Sequence, residues 1–208
     1  WVKSDQGMTA TQLDDVIFDP VDPMIVYCAS FDGGIQKSTD GGRNWRSANA
    51  GLRNKNVPRI SLNPFDTSII YGGPDGAGII RSSDAGETWN FVGFGSDIRM
   101  FAHDTSTSGT SYAASSQGLL KTTDHGIIWE TLTLTGLPNE LLFSVALSPR
   151  NPDIIYVVPA ANGLWKSNNG TISWSKRSDA AFEDNSVRAI AIHPEHKELI
   201  YIGTDSNG

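Results

Sequence analysis

Four octapeptides of this chain superimpose: Ser38-Thr39-Asp40-Gly41-Gly42-Arg43-Asn44-Trp45, Ser82 to Trp89, Thr122 to Trp129 and Ser167 to Trp174. Each reads Ser or Thr, any residue, Asp or Asn, then Trp five residues later. Trp45, Trp89, Trp129 and Trp174 are 44, 40 and 45 residues apart, and Trp1 stands 44 before Trp45, in phase as the tail of a preceding copy. Tyr27, Tyr71, Tyr112, Tyr156 and Tyr201 repeat the spacing at 44, 41, 44 and 45, each closing an apolar run such as Met24-Ile25-Val26-Tyr27. A turn precedes those runs at Asp19-Pro20, Asn63-Pro64, Ser148-Pro149 and His193-Pro194, with Asp104 read in place of the proline in the third copy. Such a period constrains the fold more than any single residue, because every copy must adopt one local structure and bury one face on its neighbours.

A helical repeat of 40 to 45 residues would place apolar residues at i, i+3 and i+4, whereas these units alternate over short runs between turn residues. The expected architecture is all-β, a β-propeller of four-stranded antiparallel blades. In the first full unit strand A covers about Val16 to Asp19, B Ile25 to Ala29 and C Ile35 to Ser38, and D begins at Trp45, which makes the octapeptide the C-to-D hairpin turn. The 21 glycines and 10 prolines among 208 residues suit many short strands and tight turns. One domain is expected over 1–208, with four complete repeats and partial blades at both ends, read as part of a larger ring.

In a tight hairpin the inward N–H groups lack strand partners, and a short carboxylate such as Asp40, Asp84 or Asp124 can accept them. Gly42, Gly86 and Gly126 are expected at positive φ. Trp45, Trp89 and Trp129 offer large apolar faces for packing between blades. The fourth copy has Asn169 for Asp, Gly170 one place early and Thr171 where Gly is expected, so its turn, from Ser167 to Trp174, is expected to be looser or differently shaped. Asn169-Gly170-Thr171 is also a glycosylation sequon, although inside a turn.

Ser-x-Asp-x-Gly-x-x-Trp preceded by Gly-Ile-Gln-Lys resembles the Asp-box, or BNR, repeat of sialidases, sortilin-type receptors, xyloglucanases and photosystem II assembly factors. The resemblance covers essentially the whole chain and implies the propeller with Asp-box hairpin turns. It does not choose among functions, since all those groups share it. It implies substrate sites on the face formed by B–C and D–A loops. There the B–C tips Ser30 to Gly33, Gly73 to Gly76, Ser115 to Gly118 and Ala160 to Gly163 put Asp32, Asp75, Gln117 and Asn162 at corresponding places. The D–A loops add Arg53, Asn54, Lys55, Phe94, Asp97, Asn139, Glu140, Glu183 and Asp184. The ligand-binding candidates are Asp32, Asp75, Gln117, Asn162, Arg53, Asp97 and Glu140, a mixed polar rim suited to a sugar chain or a peptide.

The octapeptide aspartates are poor candidates for catalysis. Glycoside hydrolysis needs two carboxyl groups across one bond, and equivalent positions of successive blades spread around a ring. The Arg-Ile-Pro start of sialidases is absent, Val57-Pro58-Arg59-Ile60 being a superficial echo. The Tyr-Ala-Arg-Thr-Asp context of xyloglucanases is absent too. A net charge of −7 works against a nucleic-acid partner. No run is apolar for the roughly 18 residues a membrane span needs. His193-Pro194-Glu195-His196 has a metal-like spacing without a third ligand, and Asp14, Asp15, Asp19 and Asp22 lack the dense ligand pattern of a calcium loop. No metal and no cofactor is implied, and Cys28 stands alone. The favoured function is a non-catalytic, secreted or extracytoplasmic recognition or scaffold module for a polypeptide or glycan, with further blades from the same longer chain. The alternatives are a glycoside hydrolase fragment and a structural component of a surface assembly.

Overall fold

The computed structural model describes residues 4–10, 12–137, 140–160, 163–177, 187–196 and 199–204. Two compact units divide the chain, Trp1–Ile98 with His125–Ile128, and Arg99–Asp124 with Trp129–Gly208. No helix occurs among the described residues, and every regular element is a strand.

In the first unit β1 (Leu13–Phe18), β2 (Val26–Ser30), β3 (Gly34–Ser38) and β4 (Arg46–Ser47) form one antiparallel sheet in chain order. A second sheet follows with β5 (Arg59–Leu62), β6 (Ile70–Gly73), β7 (Ile79–Ser82) and β8 (Asn90–Gly93). In the second unit β9 (Ile98–His103), β10 (Ser111–Ser115), β11 (Gly118–Thr122) and β12 (Glu130–Thr131) make the third sheet. The fourth is β13 (Leu142–Ser148), β14 (Asn151–Pro159), β15 (Leu164–Ser167) and β16 (Ser175–Arg177), and β17 (Val187–Ile192) pairs with β18 (Ile200–Thr204). These are the A-to-D strands expected from the repeat, with D starting one residue after the tryptophan.

The second and third strands of each four-stranded sheet are largely buried, because each lies between two ladder partners and under a neighbouring sheet. Tyr27, Ala29 and Ile35 of the first sheet pack with Val57, Ile60, Ile70, Ile80 and Trp89 of the second. The second unit repeats the arrangement, Tyr112, Ala114 and Leu119 meeting Leu142, Val145, Ile155 and Trp174. Trp89 and Trp174 are therefore wedges between sheets. Trp89 is 3% and Trp174 7% exposed, and Trp89 also donates its indole N–H to Ala48 O at 2.8 Å. Trp45 is half-buried and donates to Ser4 O at 3.0 Å. Trp1 lies outside the described residues.

The A-to-B turn corrects one alignment. Asp19, Asn63 and Asp104 each accept two backbone N–H groups two and three residues on, with distances from 2.8 to 3.3 Å. Asp104 thus corresponds to Asp19 and Asn63, and Thr105 stands where their prolines are. His193 plays the same part through Nδ1, which accepts Glu195 N at 3.1 Å and His196 N at 3.2 Å. The metal-like spacing of His193 and His196 is a turn in which one ring nitrogen caps the backbone. Ser148 departs from the set, because Ser148 pairs directly with Asn151 and the hairpin tightens.

Candidate functional site

Each sheet has two ends. At one, the A–B and C–D turns are held by a repeated hydrogen-bond pattern; at the other, the B–C hairpins and the connections between sheets differ in sequence.

The octapeptide turn is built by two side chains, and only one of them was apparent as a staple. Asp40 Oδ1 accepts Arg43 N at 3.0 Å and Asn44 N at 2.9 Å, and Asp84 Oδ1 accepts Thr88 N at 2.9 Å. The hydroxyl at the first position does as much. Ser82 Oγ donates to Asp84 Oδ1 at 2.7 Å while accepting Asp84 N at 3.2 Å and Gly86 N at 2.9 Å, and Ser38 does the same in its turn. Thr122 Oγ1 donates to Asp124 Oδ1 at 2.8 Å. The seventh position adds a donor where it can, Asn44 Nδ2 to Asp40 Oδ2 at 2.7 Å and Thr88 Oγ1 to Asp84 Oδ2 at 2.6 Å. The Asn44 and Ser38 bonds hold the Asp40 pKa down at about 2. Burial pushes Asp84 upward, but the Thr88 and Ser82 bonds outweigh it, and its pKa also falls to about 2.

Contrary to expectation, the fourth turn has the same shape as the others. Two successive left-handed residues recur in every copy: Gly41 and Gly42 (φ 71° and 85°), Ala85 and Gly86 (56° and 81°), His125 and Gly126 (59° and 78°), Gly170 and Thr171 (66° and 85°). Asn169 accepts Ser173 N at 3.0 Å and Ser167 accepts Thr171 N at 3.1 Å, so the hydrogen bonds impose the backbone and Thr171 bears the steric cost. The sequon amide Asn169 Nδ2 is itself engaged, donating to Ser173 Oγ at 2.9 Å.

These turns also receive the neighbouring sheet. Tyr27 Oη and Lys37 Nζ both donate to Ala85 O, at 2.9 and 2.8 Å, and Arg81 Nε donates to His125 O at 2.7 Å. Lys37 reaches Glu87 as well, at 3.0 Å, and Arg46 pairs with the same carboxylate. The turn end is thus committed to holding sheets together.

At the other end the first unit gathers three segments. Asp75 N donates to Asn56 O at 3.0 Å, Asn54 Nδ2 donates to Asp75 O at 3.0 Å, and Asn56 Nδ2 donates to Asp75 Oδ2 at 3.1 Å. Gly76 N donates to Asp97 Oδ1 at 2.7 Å. The β4–β5 connection, the β6–β7 hairpin and the β8–β9 connection therefore form one hydrogen-bonded rim presenting the exposed Asp75 and the half-buried Asp97. The last segment carries backbone strain, with Phe94 at φ 58°, and Gly78 is required opposite it because any Cβ would strike Phe94 O.

Of the other candidates, Arg53 lines a neighbouring cleft of about 610 Å3 with Gly51, Asn54, Pro74, Ala77, Ile80, Trp89, Asn90 and Phe91. Asp32 is exposed at the tip of the β2–β3 hairpin. Gln117, also exposed at a hairpin tip, and the half-buried Glu140 belong to the second unit. Asn162, Asn139, Glu183 and Asp184 lie outside the described residues. Sequence reasoning missed Asn56, which ties two candidate segments together, and Phe91, which forms part of the cleft. The signal for Phe91 was available, since the residue two after each octapeptide tryptophan is Ser47, Phe91, Thr131 and Lys176.

No protein-family model matches the chain, and no curated protein sequence matches it. Solved structures do. An ancestral GH74 enzyme superimposes with a TM-score of 0.81 at 22% identity, over 97% of this chain and 28% of that one. YCF48 bound to D1 peptide gives 0.67 at 14%, over 96% and 62%. The extracellular domain of a hybrid two-component system from B. thetaiotaomicron gives 0.75 at 14%, over 98% and 29%. The chain spans less than a third of the length of that GH74 enzyme. Likeness at these identities, together with four-stranded antiparallel sheets repeating in chain order, establishes the fold of this chain as a β-propeller.

Proposed function

We propose that this chain is a non-catalytic recognition module of the Asp-box (BNR) propeller type, which binds a polypeptide or glycan at the loop ends of its blades. The observation that carries this reading is the rim in which Asp75 and Asp97 tie three separate connections together. A surface fixed before the ligand arrives loses little entropy on binding. Its acidic groups suit a ligand rich in hydroxyl, amide or ammonium donors. The turn ends offer less, because their side chains already serve the hairpins and the neighbouring sheets. YCF48, a propeller with a bound peptide, and the extracellular domain from B. thetaiotaomicron are in keeping with such a role and with a secreted or extracytoplasmic location.

The test is the double variant Asp32→Ala with Asp75→Ala, compared with Arg43→Ala at the turn end, against immobilised glycans and peptides. Binding should fall in the double variant alone, with melting temperatures unchanged. Loss in Arg43→Ala with retention in the double variant overturns the assignment. Glu87 is unsuitable as the control, since it fastens Lys37 and Arg46. A glycoside hydrolase reading is favoured by the likeness to GH74 enzymes. It would be preferred if the chain released reducing ends from xyloglucan and Asp75→Asn abolished that release.

A further inference from the structure

The fourth strand of each blade closes its sheet on one side and presents a row of backbone N–H and C=O groups outward, which proteins ordinarily blunt with short strands and charge. Three of the four obey. β4 is two residues with Arg46, β12 two residues with Glu130, and β16 three residues with Lys176 and Arg177. β8 carries no charge over its four residues, Asn90-Phe91-Val92-Gly93, and its Phe91 is 55% exposed; its one irregularity is a bulge at Val92, between the Phe91–Ile80 and Gly93–Ile79 pairs.

The uncharged edge borders the 610 Å3 cleft. Phe91 pairs with Ile80, so both side chains lie on the face that forms the cleft. The opposite wall comes from the β4–β5 connection. There Gly51 is packed so closely on the Trp89 carbonyl that a Cβ could not be placed, and Arg53 follows two residues on. Among the described residues Arg53 forms no hydrogen bond or ion pair, and this exposed residue lines the cleft with no Asp or Glu beside it in the lining.

We propose that the β8 edge and this cleft take an extended peptide that adds a fifth strand to the second blade and presents a carboxylate to Arg53. Backbone hydrogen bonds along the edge beside Asn90 and Phe91, ahead of the bulge, supply sequence-independent affinity. The residue opposite Phe91 projects its side chain over the cleft, and side chains two residues away lie on the same face. A preferred ligand therefore alternates, with an apolar residue and an acidic residue two apart directed inward. Arg53 fits the acidic one because its planar fork engages a carboxylate through two parallel bonds. This site adjoins the Asp75–Asp97 rim through Asn54, which lines the cleft and donates to Asp75 O, but it does not depend on the rim's binding a ligand.

The probe is the acetylated, amidated hexapeptide Thr-Val-Thr-Glu-Thr-Val, titrated into isotopically labelled protein while amide resonances are followed. Shifts should centre on Asn90 to Gly93. Phe91→Lys, which restores the protection seen on the other edges, should weaken binding at least roughly tenfold at an unchanged melting temperature. Arg53→Gln should bring the glutamate peptide down to the affinity of its glutamine counterpart. The Asp32→Ala variant, at a hairpin tip that does not line the cleft, should bind the peptide normally, whatever happens to the rim's own ligand. Three results would overturn the proposal. One is equal binding of a peptide N-methylated on the amides facing the edge. Another is the same shifts produced by xyloglucan oligosaccharides. The last is no peptide binding together with a concentration-dependent dimer abolished by Phe91→Lys, which would make a second copy of the chain the occupant.

Discussion

The two ends of the second blade contrast in how their residues are used. At the turn end Ser82, Asp84, Gly86 and Thr88 have their polar groups engaged within one octapeptide, and the Ala85 carbonyl is taken by the sheet before it. At the loop end Gly76 meets nothing within 4 Å where a Cβ would stand, although its φ is 63°. A repeated backbone is held by repeated bonds, whereas variable chemistry is carried where bonds come from different partners in each copy.

The strongest way to break that contrast is to add a methyl group at each end. Gly126, which stands in the third octapeptide where Gly86 stands in the second, has φ 78°, and a Cβ there would penetrate the Tyr71 ring. Gly126→Ala should therefore cost about 3 kcal/mol or more, combining left-handed strain with overpacking. Gly76→Ala should cost about 1 kcal/mol, the strain alone. Equal losses in urea denaturation would remove the distinction. Next in size is Ser82→Ala, which deletes a buried hydroxyl serving three bonds and should cost about 2 kcal/mol.

Acid should act on the octapeptide turns through their carboxylates. Asp40 and Asp84 have folded pKa values of about 2, below the ordinary 3.8. Their stabilisation is fully present above the unfolded value and is lost as pH falls from near 4 through 2. Asp40→Asn with Asp84→Asn should flatten that part of the stability profile; an unchanged slope would show that the carboxylates are not the groups responsible. His103 acts in a higher window, because burial lowers its pKa from 6.5 to about 4, so its contribution is lost as pH falls between those values. His103→Gln should remove only that limb.

The smallest effects sharpen the comparison within the turns themselves. Thr171→Gly relieves a left-handed threonine and should stabilise by about 1 kcal/mol. Ile128→Thr supplies the seventh-position donor that Asn44 and Thr88 provide in their own turns, and should add a few tenths of a kcal/mol, approximately. Both gains would appear as a rise in the urea midpoint.

The strands could be read from sequence because period and alternation report burial directly, and Tyr27 or Ile155 mark buried strands wherever they recur. Residue identity hides the shape of the fourth turn, because Ser167 and Asn169 supply the bonds that set its backbone whether or not glycine follows. The place of Asp104 is hidden in the same way, because the proline is the visible mark of the A-to-B turn while the acceptor beside it builds the turn. At the loop end Asp75 and Asp97 could be named, but not Asn56 between them, since a bond joining segments 19 residues apart leaves no periodic trace. Phe91 is apolar in an element where apolar residues are expected, and only its exposure distinguishes it.

The bond from Tyr27 and Lys37 to the carbonyl of Ala85 runs one way, from a strand pair to the turn of the next sheet. Where one module carries both a giver and a receiver, as the second does with Arg81 and Ala85, the coupling joins as well after a duplication as before it. Recombination that gains or loses a whole module should therefore leave the remaining couplings matched, while a break between the tyrosine and the turn should orphan both sides. Copy number is thereby freed to change over evolutionary time, and the permissible changes come in steps of one full repeat.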